Sequence, residues 1–317
     1  MREGLRVVYL GGLGRSGSTL LERLLGELPG VSAVGEVVHL WQRGVVENER
    51  CGCGDEFGAC DFWSRVGKAA FGGWDKISVE RVARLREATD RTRFIPLLAG
   101  PELPGRMRQS LSEYTDYYLR VYQAIAEVTG STALIDSSKH ASLAFCLARR
   151  RGVDLRVIHL VRDSRAVAYS WTTRVARPDA SAESYMTTYP PVRAAGHWNA
   201  ENCALQLLAR RGTPVLRVRY EDLVRDPEQT VLLVARFAGL RADESMLGFL
   251  GTEGGSRSAV LHEAHTASGN PMRFATGRVS IRGDERWRAE MPDSHRRAVT
   301  AMTLPLLTHY GYLGRAA

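Results

Sequence analysis

VVYLGGLGRSGST, Val7 to Thr19, is the stretch on which the fold turns. Leu5 to Leu10 is a short apolar run rich in β-branched and aromatic residues, the pattern of a buried strand. Gly11, Gly12, Gly14 and Gly17 follow in a turn that calls on the backbone freedom of glycine. Ser18 and Thr19 then open LLERLLGEL, in which Leu20, Leu21, Leu24, Leu25 and Leu28 recur at helical spacing. Strand, glycine turn and helix start aim several backbone N–H groups and the positive helix end at one point. Such a point binds phosphate or a similar oxyanion.

A nucleoside-triphosphate loop of the form G-x-x-x-x-G-K-[ST] carries Lys after its second Gly. Gly12 and Gly17 have that spacing, but Ser18 stands where the Lys belongs and Thr19 follows. The cation sits inside the turn instead, at Arg15. With Arg15, Ser16, Ser18 and Thr19 in and around it, the turn reads as an anion cradle rather than as simple strand-to-helix packing.

Working outward, Val31 to Val34 forms a second short strand closed by Gly35-Glu36, and Ala133-Leu134-Ile135 a third, ending in Asp136-Ser137-Ser138-Lys139. Leu155 to Val161 is a fourth, followed by Arg162, and Val215 to Tyr220 a fifth. In a doubly wound sheet the C-terminal strand ends line the ligand crevice, which places Glu36, Lys139 and Arg162 beside the glycine turn. His39 and His140 are reserve candidates for a proton-accepting role there. The reading is therefore a single α/β domain over 1–317, a doubly wound parallel sheet of about five strands, P-loop-like, with residues 41–130 as an inserted, largely helical cap. Residues 41–75 read as an irregular loop folded over the site. Residues 76–129 read as helices broken at Pro96 to Gly105, whose Tyr114, Tyr117, Tyr118 and Tyr122 are mostly core, some of them candidates to wall an acceptor pocket. Residues 174–197, with three Pro and little periodicity, read as a mobile lid. Ser138 is expected to cap a helix from Ala141, and Tyr220-Glu221-Asp222-Leu223 to cap a helix over 227–238. A closing helix over 292–309 contains Pro305.

The loop Arg15 to Leu21, RSGSTLL, resembles the 5′-phosphosulfate loop of sulfotransferases that use 3′-phosphoadenylyl sulfate (PAPS). Val157 to Asp163 with its continuation to Ser170, VIHLVRDSRAVAYS, is similar to that family's 3′-phosphate segment, in which an Arg after a strand is followed eight residues later by a Ser; Arg162 and Ser170 have that spacing. Weaker similarity at Glu36, at Asp136–Lys139 and near the C-terminus extends the resemblance over most of the chain. It implies transfer of a sulfuryl group from PAPS to a hydroxyl or amine of a small-molecule, lipid or glycan acceptor, with 3′,5′-ADP as product. It further implies that Ser16, Gly17, Ser18 and Thr19 hold the 5′-phosphate and Arg162 and Ser170 the 3′-phosphate. Arg15 and Lys139 would stabilise the leaving group. Glu36, twenty-one positions after Arg15, would be the catalytic base. A late basic loop closes the nucleotide site in such enzymes, and Arg273 and Arg278 are the candidates for it.

Composition bounds the alternatives. The chain has 317 residues, 44% hydrophobic and 25% charged, and a formal charge of +8 carried almost wholly by Arg, which grips phosphate and sulfate bidentately. No aromatic-interleaved basic stripe marks a nucleic-acid binder. No apolar stretch reaches the length of a membrane span and no signal peptide is apparent, which suggests a cytoplasmic protein. Five cysteines, an odd number, read as thiols. Cys51-Gly-Cys53 with Cys60 invites a zinc reading, but the spacing is C-x-C and no fourth ligand lies nearby in sequence; His262-Glu263-Ala264-His265 has its histidines three apart rather than four. No metal is therefore expected. Two rivals stand beside the sulfotransferase: an ATP-dependent small-molecule kinase, which would need Lys at position 18, and a nucleotide-binding protein without turnover.

Overall fold

The computed structural model describes residues 4–179 and 184–313. The chain runs β1 (Leu5–Gly11), α1 (Ser18–Gly26), β2 (Val31–Gly35), α2 (Asp61–Phe71), α3 (Val79–Thr89), α4 (Ile95–Leu98), α5 (Gly105–Thr129), β3 (Ala133–Lys139), α6 (Ala141–Ala148) and β4 (Val153–Val161). It continues through α7 (Ser164–Thr172), α8 (Pro191–Arg210), β5 (Val215–Arg219), α9 (Tyr220–Arg225), α10 (Pro227–Ala238), β6 (Leu250–Glu253), β7 (Ser256–Leu261), β8 (Gly277–Ile281), α11 (Trp287–Glu290) and α12 (Asp293–His309).

Five strands form one parallel sheet in the order β2-β3-β1-β4-β5, with β1 at its centre. Successive residues of a strand face opposite sides. Val7 and Tyr9 accordingly enter the core under α5 and α6, and Val8 and Leu10 the core under α1 and α10. A strand buried on both faces must be apolar along its length, which is why VVYL is legible without alternation. Gly11 at the end of β1 pairs with Lys139 of β3 and with His159 of β4, and the β1–β3 register slips between Tyr9 and Gly11. The slip carries Lys139 level with the glycine turn. All five expected strands are present and the α/β expectation holds.

The structure departs from the sequence reading in five places. Residues 41–75 are irregular only in part: a π-helical segment covers Leu40–Val46 and α2 presents Trp63, Val66 and Ala70 to the core, with the irregular stretch 47–60 between them. A second, antiparallel sheet of β6, β7 and β8 stands outside the parallel one. Ser138 does not cap α6; its Oγ accepts from the Val38 N–H instead. The cap of α10 is Asp226, which accepts from the Gln229 N–H, while Tyr220–Arg225 is a short helix of its own. Tyr114, Tyr118 and Tyr122 are core, as their main reading has it, but not pocket walls: they are fully buried and do not line the cavity at the strand ends. The 174–197 segment is described only in part, since 180–183 lie outside the described residues. No helix among the described residues is long and apolar enough to cross a membrane.

Candidate active site

The C-terminal ends of β1, β2, β3 and β4 open onto one cavity of about 670 Å³. It takes in Arg15, Gly17, Ser18 and Thr19 from the glycine turn, Glu36 after β2, Lys139 at the end of β3, Arg162 after β4 and Ser170 on α7. Eight residues singled out in sequence thus converge on one space. Ser16 is buried beneath the turn and does not reach the cavity wall.

The turn is shaped for a ligand that approaches its backbone. Gly17 is the N-cap of α1, with φ 91 and no side-chain cap, so the first N–H groups of the helix keep their donors for an anion. A Cβ on Gly17 would sit 2.4 Å from Tyr220 Cδ2, which closes the position to any other residue. Arg15 adopts φ 74, a left-handed backbone that costs a non-glycine residue on the order of 1 kcal/mol. Its Nε and Nη2 are buried without a hydrogen-bond partner among the described residues, and its guanidinium lies 5.5 Å from the Trp171 ring. Burial lowers the Arg15 pKa, with Glu36 opposing. A desolvated cation with orphaned donors beside an uncapped helix start fits a phosphate or sulfate.

Glu36 is held by charge and by backbone. Its N–H donates to the Ser268 carbonyl at 3.2 Å, and its Oε1 accepts from Lys139 Nζ. Burial pushes this carboxyl up, but Lys139, His39 and Arg43 outweigh it and hold the group at about 2. His39 approaches Glu36 Oε2 at 3.5 Å, yet burial, with Arg43 and His140 alongside, lowers the imidazole to about 3, so it is neutral at pH 7. Lys139 and Arg43 are therefore the charges that matter to Glu36. Lys139 has φ 71, so Lys139 and Arg15 both stand on left-handed backbone.

Arg162 braces the turn. Its Nη1 donates to the Arg15 carbonyl at 2.9 Å and its Nη2 to the Asp284 carbonyl at 3.0 Å, and its guanidinium stacks 4.5 Å from the Tyr220 ring. These two bonds take two of the five N–H donors of the guanidinium. Ser170 shares the wall one face along α7.

The two late arginines lie elsewhere. Arg273 is 1% exposed and donates to the Thr266 and Arg50 carbonyls. Arg278 is exposed, within 3.7 Å of Glu253, and does not line the cavity. The late basic residue on the cavity wall is Arg282, just past β8, a strand that the sequence reading missed. The cap end carries Arg43, Arg86, Asp90, Arg91 and Thr92, with Glu201 from α8. Burial raises the Glu201 carboxyl to about 7. None of these had a sequence signal: each becomes part of the site only through packing of the cap on the sheet.

A parallel sheet whose strand ends surround an uncapped helix start and buried cations is a doubly wound α/β architecture with a crevice suited to an anion. The chain belongs to the sulfotransferase domain family, whose model matches residues 7–252. A segment of 179 residues, 52% of this chain, is 29% identical to carbohydrate sulfotransferase 3 of Homo sapiens and spans 35% of that protein's length. The fold is shared with the sulfotransferase domain of the Synechococcus PCC 7002 olefin synthase, at TM-score 0.50 and 20% identity over 95% of this chain and 94% of that one.

Proposed function

We propose that this protein transfers a sulfuryl group from PAPS to a hydroxyl, or an amine, of a polar small molecule or glycan. The observation that carries the reading is the buried Arg15 guanidinium, two of whose nitrogens have no partner among the described residues, beside an uncapped helix start. Ser18, Thr19 and the first N–H groups of α1 would receive the 5′-phosphate. Arg162 and Ser170 would receive the 3′-phosphate and so distinguish PAPS from a plain adenylyl nucleotide. Transfer is in-line: the acceptor oxygen bonds to sulfur as the sulfur–oxygen bond to the 5′-phosphate breaks, and the electron pair leaves with 3′,5′-ADP. Such chemistry rests on positioning and charge stabilisation, supplied here by Arg15 and Lys139. The family's donor is the source of the PAPS assignment, and no metal is needed at this centre.

Glu36 would take the acceptor proton. At about 2 it is ionised but a weak base while Lys139 donates to it. When Lys139 turns to the leaving phosphate, Glu36 loses its main counter-charge and its basicity rises. The base is then strengthened in step with donor binding.

The cap end supports a polar acceptor. Arg86, Asp90, Arg91, Thr92 and Glu201 face the cavity, whereas Tyr114, Tyr118 and Tyr122, candidates in sequence to wall an acceptor pocket, lie in the core. The relative named for carbohydrate agrees with that direction. The five unpaired thiols support a reducing, cytoplasmic setting.

A thermal-shift panel tests the donor. Strong stabilisation by 3′,5′-ADP and weak stabilisation by AMP and ATP–Mg²⁺ is expected. Equal shifts with 3′,5′-ADP and AMP would remove the 3′-phosphate role, and a preference for ATP–Mg²⁺ would favour a kinase. Labelled PAPS with polar extracts, read by mass spectrometry as a gain of SO₃, tests turnover and finds the acceptor.

A further inference from the structure

Three cysteines and a histidine meet at a second centre. Cys51, Cys53 and Cys60 lie in the turn between the π-helical segment and α2, and His265 in the connection between β7 and β8. Their four ligand atoms all lie within 4.8 Å of one another. Cys53 Sγ is 3.7 Å from Cys60 Sγ; His265 Nδ1 is 3.7 Å from Cys51 Sγ and 3.4 Å from Cys60 Sγ. Tetrahedral zinc, with bonds of about 2.3 Å to sulfur and 2.0 Å to nitrogen, requires edges of roughly 3.8 Å between sulfurs and 3.6 Å from sulfur to nitrogen. Three of the six edges, at 3.4–3.7 Å, lie close to those values, and the remaining ones stay within 4.8 Å. A disulfide needs sulfurs about 2.05 Å apart, and all these thiols are unpaired.

The surroundings are built for that arrangement. Cys51 and Cys60 are buried, and the His265 ring stacks on Phe62 at 4.7 Å and 11°, which orients Nδ1. A Cβ at Gly52 would lie 2.3 Å from the Ala264 carbonyl oxygen and 2.4 Å from Thr266 Oγ1. Only glycine between the first two cysteines lets the two loops come this close, which explains the C-G-C spacing.

We propose that Cys51, Cys53, Cys60 and His265 bind one structural Zn²⁺. Three thiols lose their protons to solvent on binding and the imidazole stays neutral, so the centre carries a net charge of −1. Four protein ligands close the coordination sphere and leave no position for a reactant. The ion's work is to clamp the 51–60 turn to the 262–270 connection. That connection supports the reaction centre: Thr266 O accepts from the Gly52 N–H, Ala267 N–H donates to Val34 O, and Ser268 O accepts from the Glu36 N–H. The zinc would thus fix the backbone on which Glu36 stands, through a ligand supplied more than two hundred residues from the first cysteine.

The chain, purified without added metal, should contain about one zinc per chain by elemental analysis, with the exposed Cys203 titrating rapidly, the buried Cys146 slowly, and Cys53 protected despite being only half-buried. Cobalt substitution should give the absorption of a tetrahedral thiolate site. Cys53→Ser, at the least buried of the three cysteines, should abolish both signals, and His265→Cys should keep them. If Cys53→Ser proves insoluble, the cobalt spectrum and zinc content of the unmodified chain decide alone. A folded chain with no zinc, or with a disulfide among Cys51, Cys53 and Cys60, would overturn the proposal. So would a Cys53→Ser variant that retains a full equivalent of zinc.

Discussion

Lys139 and Glu36, 103 positions apart in the chain, share an ion pair on the cavity floor, with Lys139 Nζ donating to Glu36 Oε1. The pair joins the proposed base to a proposed leaving-group cation. Lys139 holds Glu36 in its charged form until a ligand separates them.

Glu36→Gln is expected to lower turnover by roughly 10²–10⁴-fold, the usual contribution of a positioned base. Gln retains the size and can still accept from Lys139, and Glu36 does not touch the glycine turn's anion site, so 3′,5′-ADP affinity should stay within a few-fold. Turnover and calorimetric binding are measured together. Loss of both would make Glu36 a support of the turn, and unchanged turnover would move the base to His39 or His140.

The same pair sets a pH dependence. The Glu36 carboxyl falls from 4.5 to about 2 on folding, so its stabilising contribution is complete above pH 4.5 and is lost as pH falls through 2. Lys139→Met removes the main opposing charge and leaves burial to raise the carboxyl. The variant should be less stable than the parent at pH 7, and the gap should narrow between pH 4.5 and about 2. Urea unfolding at pH 7 and pH 3 reads the two gaps; equal gaps would mean the pair contributes nothing to folding.

Arg162→Ala should fold, with stability reduced by about 1–3 kcal/mol for the two hydrogen bonds to the Arg15 and Asp284 carbonyls. Its affinity for 3′,5′-ADP should fall by roughly 10–100-fold, and that for AMP by much less. An equal loss for both nucleotides would show that Arg162 acts only by bracing the turn.

Gly17→Ala should be destabilising by about 1–3 kcal/mol or more, since it adds left-handed strain to a 2.4 Å collision with Tyr220. Gly254→Ala, also at positive φ but with open space around its Cβ, separates the two costs. Denaturant midpoints that match for the two variants would deny the collision any weight.

The glycine-turn end of the cavity was legible because its signals are local. A strand, a turn and a helix start occupy fifteen consecutive residues, Leu5 to Thr19, and the leucine spacing of α1 needs no partner to be read. Glu36, Lys139 and Arg162 followed from one rule about strand ends. The cap end was not legible: Asp90 and Arg91 lie just past the end of α3 and Glu201 on α8, and what they face depends on how the cap and α8 pack. Arg282 was missed because β6 and β8 are only four and five residues long. His265 could not be found from Cys51, since a metal site assembled across 214 positions leaves no spacing to recognise.

The left-handed backbone at Arg15 and Lys139 has a bearing on redesign. Glycine is the residue that those φ values of 74 and 71 favour, and a search that scored only folding free energy would place it at both. Arg15→Gly and Lys139→Gly would then register as improvements while erasing the positive charge that the cavity exists to present. Sites in related chains where a cation persists against its own conformational preference are therefore markers of chemistry, and thermostabilisation of this scaffold should exempt them.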